Sequence, residues 1–232
     1  MVDSTNLKIT DGRGDARPHV DSGVDVAQSI THMQTPDTPE TGDNEFGAWG
    51  GGSFDSPTLI GTAEDARLAI AALRYARVVV AGNGLALKYT IDAVPASVLS
   101  YQSFIAVPNG PPVFNYRIEQ SRKSAYGAGL APIGLQLNFA RRRRVQPFVG
   151  GSVGFLYFGE PIPDNRSSIF PDERGGQFNY TADFGGGVQV FTSSRRALTF
   201  GYKYHHISNG FRAPVNPGFD SNLFYAGFSI FK

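Results

Sequence analysis

The segment LALKYTID, residues 85–92, alternates between apolar and polar side chains. One parity is apolar and consists of Leu85, Leu87, Tyr89 and Ile91. The other parity carries the polar residues Lys88, Thr90 and Asp92. Successive residues of a β-strand face opposite sides of a sheet, so this pattern predicts a strand with one apolar face and one polar face. The segment 178–190 shows the same alternation.

Eight segments with strand character follow one another from Glu45 to the C-terminus. They cover approximately residues 45–54, 65–80, 84–98, 124–140, 145–159, 176–192, 196–208 and 221–231. Long helical periodicities are scarce, and the 28 glycines, 18 phenylalanines and 10 tyrosines favour strands and bends. The sequence therefore predicts an all-β protein.

The connections between these segments alternate in length. Short connections follow the second, fourth and sixth segments, at residues 81–83, 141–144 and 193–195. Long connections follow the third, fifth and seventh segments, at residues 99–123, 160–175 and 209–220. Outer-membrane barrels have short turns at one end and long loops at the other. We therefore expect an eight-stranded antiparallel up-and-down transmembrane β-barrel over residues 44–232.

The polar parity carries many ionic and amide side chains. They are Lys88, Asp92, Asn138, Gln146, Asn179, Asp183, Gln189 and Lys203. Such groups suit a hydrated, cross-paired lumen, whereas a lipocalin-like barrel turns its apolar face inward. We therefore expect the apolar parity to meet lipid, with a soluble barrel or sandwich as the alternative. Aromatic residues near strand ends predict interfacial girdles, with Tyr157, Phe158, Phe178 and Tyr180 at one end and Phe139 and Phe191 at the other.

Composition excludes several classes of protein. The 21 Lys and Arg against 20 Asp and Glu leave no basic excess for a nucleic-acid partner. Cysteine is absent, which excludes disulfides and thiol catalysis. No apolar run reaches the roughly 18 residues that a transmembrane helix needs. Residues 1–43 are polar and show neither periodicity, so they predict a disordered tail, and their first residues lack a signal-peptide pattern.

The stretch YKYHHISNGFRAPVNPGFD, residues 202–220, contains the candidate catalytic residues. His206 and Ser208 are two positions apart on a strand, so a base projects from the same face as a nucleophile. Asp220 opens the last strand, which returns antiparallel beside the seventh, so its carboxylate can orient the imidazole. By parity, all three side chains face lipid, at the end of the barrel that carries the long loops. Polar groups in contact with lipid cost free energy, so they are expected there only where they serve a function. This placement suits a membrane-lipid ester as substrate.

Three other features are weaker candidates. His205 has the parity of the lumen and is the alternative base. Gly150–Gly154 matches the G-x-S-x-G motif, but that motif requires a strand-to-helix turn and here lies within a strand. The arginines at 141–144 indicate a solvated turn. Metal-ligand spacings and phosphate-binding glycine loops are not evident, so no metal or cofactor is expected.

The run KYHHISN at residues 203–209, followed by Asn216-Pro217-Gly218 and then Asp220, resembles the signature of the outer-membrane lipid A 3-O-deacylases, the PagL family. The resemblance implies hydrolysis of the ester that holds the 3-hydroxyacyl chain at position 3 of lipid A, in the bacterial outer membrane. It implies that His206 is the base and Ser208 the nucleophile. Asp220 stands in the place of the family's acidic residue, which is Glu in its best-known member.

The same resemblance places Asn209, Gly210 and Asn216 where the family's loop shapes the oxyanion site. The implied partner is lipid A or lipopolysaccharide, bound by a membrane-embedded protein that needs no cofactor, and a homodimer is left open. Two rival functions remain. One is a non-catalytic structural or adhesive outer-membrane barrel, and the other is an outer-membrane phospholipid esterase.

Overall fold

Eight strands account for most of the chain. The computed structural model describes residues 39–111 and 115–232. The strands are β1 (Asn44–Ser53), β2 (Arg67–Ala81), β3 (Leu85–Pro108), β4 (Tyr116–Phe139), β5 (Val145–Asp164), β6 (Arg174–Ser193), β7 (Arg196–Ser208) and β8 (Phe219–Phe231). No helix in those described ranges is long and apolar enough to cross a membrane. The tail predicted over residues 1–43 falls largely outside the described residues and stays a prediction.

The strands form one closed barrel. Each strand pairs antiparallel with its neighbours along the chain, and β8 pairs back with β1. The closing ladder runs from Glu45 opposite Phe231 to Gly52 opposite Phe224. Every strand therefore has a hydrogen-bonded partner on both edges. The backbone N–H and C=O groups thus find their partners within the barrel, as they must where no water is present. The predicted eight-stranded up-and-down topology is confirmed.

Short turns and long connections lie at opposite ends of the barrel, as predicted. The short turns are residues 82–84, 140–144 and 194–195, and the long connections are residues 54–66, 109–115, 165–173 and 209–218. The loop predicted over residues 99–123 is wrong, because β3 continues to Pro108 and β4 begins at Tyr116. The outer parts of these two strands form a regular ladder, with Gln102 opposite Arg122. Every residue from Glu119 to Lys123 of β4 is polar, and a strand that extends beyond a bilayer needs no apolar face, so this half of the hairpin looked like a loop.

The lumen is filled by paired polar side chains. The eight residues predicted to face it are buried or nearly so. Arg74 donates to both carboxylate oxygens of Asp92, at 2.7 and 2.6 Å. Lys88 Nζ lies 2.7 Å from a carboxylate oxygen of Glu45. Buried charges are tolerated when they are paired and hydrogen-bonded, so this network confirms the predicted polar interior.

The outer face of the barrel is apolar. Its exposed side chains include Leu73, Leu135, Val149, Phe184, Phe200 and Phe228. The predicted girdle residues that are exposed are Phe139, Tyr157, Phe178 and Tyr180. Phe158 and Phe191 were placed wrongly, since they are only 0% and 2% exposed. Phe158 directly follows the outward Tyr157, and Phe191 shares the parity of the lumen residue Gln189, so both side chains point inward.

Candidate active site

The candidate site lies where β7 ends and β8 begins, at the long-loop end of the barrel. His206 and Asp220 are directly opposite each other in the β7–β8 ladder. His206 Nδ1 lies 2.6 Å from Asp220 Oδ1. Directly opposite residues of an antiparallel pair have Cβ atoms about 5 Å apart, so even the short side chain of an aspartate reaches the imidazole. The contact is therefore a consequence of strand register.

Ser208, the last residue of β7, shares a cavity with His206. The cavity has a volume of about 450 Å³ and lies on the outer face of the barrel. The Ser208 hydroxyl contacts Asn216 and Gly210, and between the two described side chains of Ser208 and His206 no hydrogen bond is formed. Catalytic hydrogen bonds often tighten only when substrate binds. The structure thus brings His206 and Ser208, the predicted base and nucleophile, to one cavity without linking them directly.

Two hydrogen-bond donors converge on the Ser208 hydroxyl. Asn216 Oδ1 accepts a hydrogen bond from the Asn209 backbone N–H at 3.0 Å, which sets the orientation of the amide. Asn216 Nδ2 lies 3.0 Å from Ser208 Oγ, and the Ser208 hydroxyl in turn donates to Asn216 Oδ1 at 3.1 Å. The backbone N–H of Gly210 donates to the same Oγ at 3.2 Å. Two N–H donors and one amide oxygen therefore surround the Ser208 hydroxyl.

The Asn209 side chain lies apart from these two donors. It is 1% exposed and donates through Nδ2 to the backbone oxygen of Val215 at 2.8 Å. The side chain therefore braces the 209–218 connection, while the backbone N–H holds Asn216. Of the three residues predicted to shape the oxyanion site, Gly210 and Asn216 face Ser208 directly, and Asn209 supports them.

The turn after Ser208 uses left-handed backbone. Gly210 has a φ of +65° and Phe211 a φ of +60°. A Cβ atom on Gly210 would lie 3.1 Å from the ring of Tyr180. Glycine suits both the dihedral angle and the limited space, and its conformation aims the N–H at Ser208.

An apolar groove leads from His206 and Ser208 across the neighbouring strands. Its other lining residues are Pro132, Val153, Gly154, Phe155, Tyr180, Thr181 and Ala182. Ala182 is directly opposite His206 in the β6–β7 ladder, and its small side chain leaves the groove open beside the imidazole. An apolar groove with a few convergent polar groups at one end has the character of a ligand site.

Asp220 is completely buried, although it has the outward parity. The connection between β1 and β2 folds over it, and the backbone N–H groups of Leu59, Ile60 and Gly61 donate to Oδ2 at 3.0, 2.8 and 2.8 Å. The sequence predicted that the carboxylate would face lipid and did not indicate this cover. Backbone donors are common to every residue type except proline, so they leave no mark in a sequence.

The weaker candidates lie away from this site. His205 faces the lumen, where its Nδ1 is 3.7 Å from Asp183 Oδ2. Ser152 donates to the same carboxylate at 2.7 Å from within β5, so Gly150–Gly154 is part of a strand and not a nucleophile elbow. In the part of the chain that the structure describes, no group of three or more His, Cys, Asp or Glu side chains is placed to hold a metal ion.

Fold and site together define a transmembrane β-barrel that places His206, Asp220 and Ser208 beside an apolar groove on its outer surface. The model of one protein family, described as lipid A 3-O-deacylase (PagL), matches residues 101–229, which is more than half of the chain. The chain therefore belongs to the lipid A 3-O-deacylase (PagL) family. This confirms the family suspected from the sequence and the location in the bacterial outer membrane.

Several solved structures of outer-membrane proteins resemble this barrel. The outer membrane enzyme PagL has 13% sequence identity over 80% of this chain and 98% of its own, with a TM-score of 0.48. OprG from Pseudomonas aeruginosa has 10% identity over 84% and 98% of the two chains, with a TM-score of 0.46. Neisserial surface protein A has 12% identity over 82% and 97%, with a TM-score of 0.44. No curated protein matches the sequence, so membership depends on the family model.

Proposed function

We propose that this protein hydrolyses the ester that holds the 3-hydroxyacyl chain at position 3 of lipid A. Ser208 is the nucleophile, His206 is the general base, and Asp220 orients and charges the base. One observation carries the proposal: the imidazole that lies 2.6 Å from the Asp220 carboxylate opens, together with Ser208, onto one apolar cavity of the outer face.

The contact with Asp220 selects the tautomer of His206. Because the carboxylate faces Nδ1, the neutral ring carries its proton there, and the lone pair of Nε2 is free. Nε2 takes the proton of Ser208 while Oγ attacks the carbonyl carbon of the ester. The Asp220 carboxylate stabilises the imidazolium that results.

The attack produces a tetrahedral intermediate with a negatively charged oxygen. The Gly210 N–H and Asn216 Nδ2 lie 3.2 and 3.0 Å from Ser208 Oγ, within reach of an oxygen on the carbon that Oγ attacks. Both N–H groups donate to Oγ in the structure, and in the proposed mechanism they transfer to the charged oxygen once Oγ has become part of the ester. The intermediate collapses when the imidazolium gives its proton to the ester oxygen of the sugar and the bond from this oxygen to the acyl carbon breaks, so the sugar leaves with a free hydroxyl and the acyl chain stays on Ser208.

Hydrolysis of the acyl-enzyme repeats these steps with water. His206 removes a proton from the water molecule, which attacks the acyl carbonyl carbon at the same pair of donors. Collapse of the second intermediate releases the 3-hydroxy fatty acid, and the imidazolium returns a proton to Ser208. The enzyme is thereby restored for another turnover.

The outward site suits a substrate that stays in the bilayer. The long connections of bacterial barrels are extracellular, and lipid A occupies the outer leaflet on that side. The ester of a primary acyl chain lies just below the headgroups, at the depth of the barrel rim. The groove along Val153, Phe155 and Ala182 is continuous with the apolar outer face, so an acyl chain binds there without leaving an apolar environment.

Mass spectrometry of lipid products tests the proposed function. The purified barrel is incubated separately with lipid A micelles and with phospholipid vesicles. We expect one 3-hydroxy fatty acid to leave lipid A with the wild type and none with Ser208→Ala. Release from phospholipid alone would support the esterase alternative. Release from neither substrate by a folded wild type would support a non-catalytic barrel.

A further inference from the structure

The connection between β1 and β2, residues 54–66, packs along the start of β8 beside the proposed catalytic carboxylate. Ser56 Oγ donates to the backbone oxygen of Asp220 at 2.7 Å. Six residues further on, the backbone N–H of Thr62 donates to the oxygen of Pro217 at 2.7 Å. The segment between these two anchors is therefore fixed at one end to Asp220 of β8 and at the other to the 209–218 connection that leads into this strand.

A third anchor ties the end of this connection to the neighbouring hairpin. Asp65 Oδ2 accepts hydrogen bonds from Gln102 at 2.8 Å and from Arg122 at 2.5 Å. The hydrogen bond from Gln102 and the charge of Arg122 hold the pKa of the Asp65 carboxyl below its usual value. The anchor is therefore ionised, and available to both partners, at neutral pH.

Two glycines allow the connection to approach the active site. A Cβ atom on Gly61 would lie 2.5 Å from the backbone oxygen of Gly218. Gly218 has a φ of +67°, and a Cβ atom there would lie 3.0 Å from His206 Cε1. The two backbones therefore cross beside the imidazole at a distance that only glycine permits.

Three consecutive N–H groups, those of Leu59, Ile60 and Gly61, converge on Oδ2 of Asp220. Successive backbone N–H groups in such a concave turn form a binding site for an anionic oxygen, and hydrogen bonds to a charged acceptor are among the stronger ones. With Oδ2 held in this way, Oδ1 remains to face His206. The carboxylate cannot rotate away from the imidazole without breaking these bonds.

We propose that Leu59–Gly61 is a positioning segment of the active site, which acts through Asp220 to hold His206 in its productive orientation. The inference rests on the proposed function and extends its machinery from the C-terminal strands to the first connection of the barrel. The contribution comes from the backbone, because the side chains of Leu59 and Ile60 point away and are 71% and 62% exposed.

A proline substitution removes a single N–H group and so tests the segment. Ile60→Pro deletes a donor that lies 2.8 Å from Asp220 Oδ2. Because a small displacement of a catalytic group costs up to about 100-fold in rate, we expect kcat to fall about 10- to 100-fold with little change in KM. Thr58→Pro is the matched control, since the N–H of this exposed residue makes no hydrogen bond within the described ranges. Its kcat should stay within about 2-fold of the wild type.

A double-mutant cycle with Asp220→Ala distinguishes positioning from a general disturbance of the fold. Without the carboxylate the segment has nothing to hold, so Ile60→Pro should change the residual kcat by less than about 2-fold in that background. A disturbance of the fold would lower kcat similarly in both backgrounds. Heat-modifiable electrophoretic mobility reports whether each variant forms the barrel. Should Ile60→Pro fail to fold, Leu59→Pro removes the neighbouring donor at 3.0 Å.

The outcomes separate this inference from the proposed function. Wild-type kcat in folded Ile60→Pro, or equal losses with and without Asp220, would overturn the inference and leave the deacylase proposal standing. A folded wild type without deacylase activity would overturn both. A loss of kcat that depends on Asp220, with Thr58→Pro unaffected, is the result we expect.

Discussion

His206 and Asp220 are cross-strand neighbours whose polar atoms lie 2.6 Å apart, yet the imidazole is 17% exposed and the carboxylate 0%. One partner opens onto the groove and the other lies beneath the β1–β2 connection. Both are carried by paired strands, and sites on such elements are held more precisely than sites on loops. The proposed donors for the oxyanion come from the adjacent 209–218 connection, which is fixed by Asn209.

Changes at Asp220 should lower turnover strongly. Asp220→Asn should reduce kcat about 10³- to 10⁴-fold, because an amide neither stabilises the imidazolium nor selects the required tautomer. Asp220→Glu should reduce kcat about 10-fold, since one more methylene overfills a fully buried position. Steady-state assays with lipid A measure kcat, and heat-modifiable electrophoretic mobility confirms beforehand that each variant is folded. Wild-type turnover in Asp220→Asn would contradict the role given to the carboxylate.

Asn216→Ala should lower kcat about 10²- to 10³-fold with KM nearly unchanged, as expected for a donor that acts on the transition state. Asn222→Ala is the matched control. Asn222 lies on the same outer face and accepts a hydrogen bond from the Tyr202 hydroxyl at 2.6 Å, away from Ser208. Its kcat should stay within about 2-fold of the wild type. Equal losses in the two variants would argue against an oxyanion role for Asn216.

Gly210→Ala should reduce both stability and turnover. A left-handed conformation costs an alanine about 1–2 kcal/mol, and the new Cβ would lie 3.1 Å from the Tyr180 ring. The backbone must then shift, which moves the N–H away from Ser208 and should lower kcat at least about 10-fold. Gly84→Ala is the control, because a Cβ there meets nothing within 4 Å. Undiminished kcat in Gly210→Ala would show that this N–H is dispensable.

Ala182→Phe should shift the chain-length preference of the enzyme. The larger side chain would occupy the groove beside His206, so long acyl chains should lose about 10-fold in kcat/KM relative to short ones. Ala226→Phe places the same side chain on the exposed face of β8, outside the groove, and should leave the preference unchanged. Competition between lipid A species of different chain length, followed by mass spectrometry, measures the ratio. The same shift in both variants would exclude the groove as the acyl site.

Lys88→Met should destabilise the barrel. Lys88 and Glu45 have side chains only 1% and 4% exposed, so the variant leaves a buried carboxylate without its cation. Breaking such a pair costs about 3–5 kcal/mol. The temperature at which the electrophoretic band of the folded barrel disappears should fall. The added Glu45→Gln substitution should restore most of the lost thermal stability. Equal thermal stability of Lys88→Met and the wild type would contradict this account of the lumen.

The sequence predicted the barrel well because the two-residue alternation of its strands reflects two different environments, lipid on the outer face and a polar lumen on the inner face. The alternation that places Lys88 and Asp92 on one parity persists wherever one face meets lipid, and the alternating connection lengths supply the topology. The same parity argument brought His206 and Asp220 together, since their contact follows directly from strand pairing. Above the membrane this signal disappears from β4, where every residue from Glu119 to Lys123 is polar, and the outer part of the β3–β4 hairpin was therefore missed.

Interactions made by backbone groups could not be predicted from residue types. The cover that Leu59–Gly61 places over Asp220 depends on N–H groups and on the crossing of two glycines, and neither has a distinctive spacing. The orientation of the Asn216 amide likewise depends on the Asn209 backbone. The wrong prediction for Phe158 has a simpler reason. An aromatic residue near a strand end suggests an interfacial girdle, whichever way its side chain points.

The site of covalent labelling by a fluorophosphonate ester tests most directly whether Ser208, His206 and Asp220 act as one unit. Peptide mass spectrometry of the folded wild type should locate the adduct on Ser208, and labelling should be strongly slowed in His206→Ala and in Asp220→Ala. An adduct on another residue, or a barrel that deacylates lipid A while Ser208 stays unlabelled at saturating reagent, would contradict the assignment of Ser208 as the nucleophile.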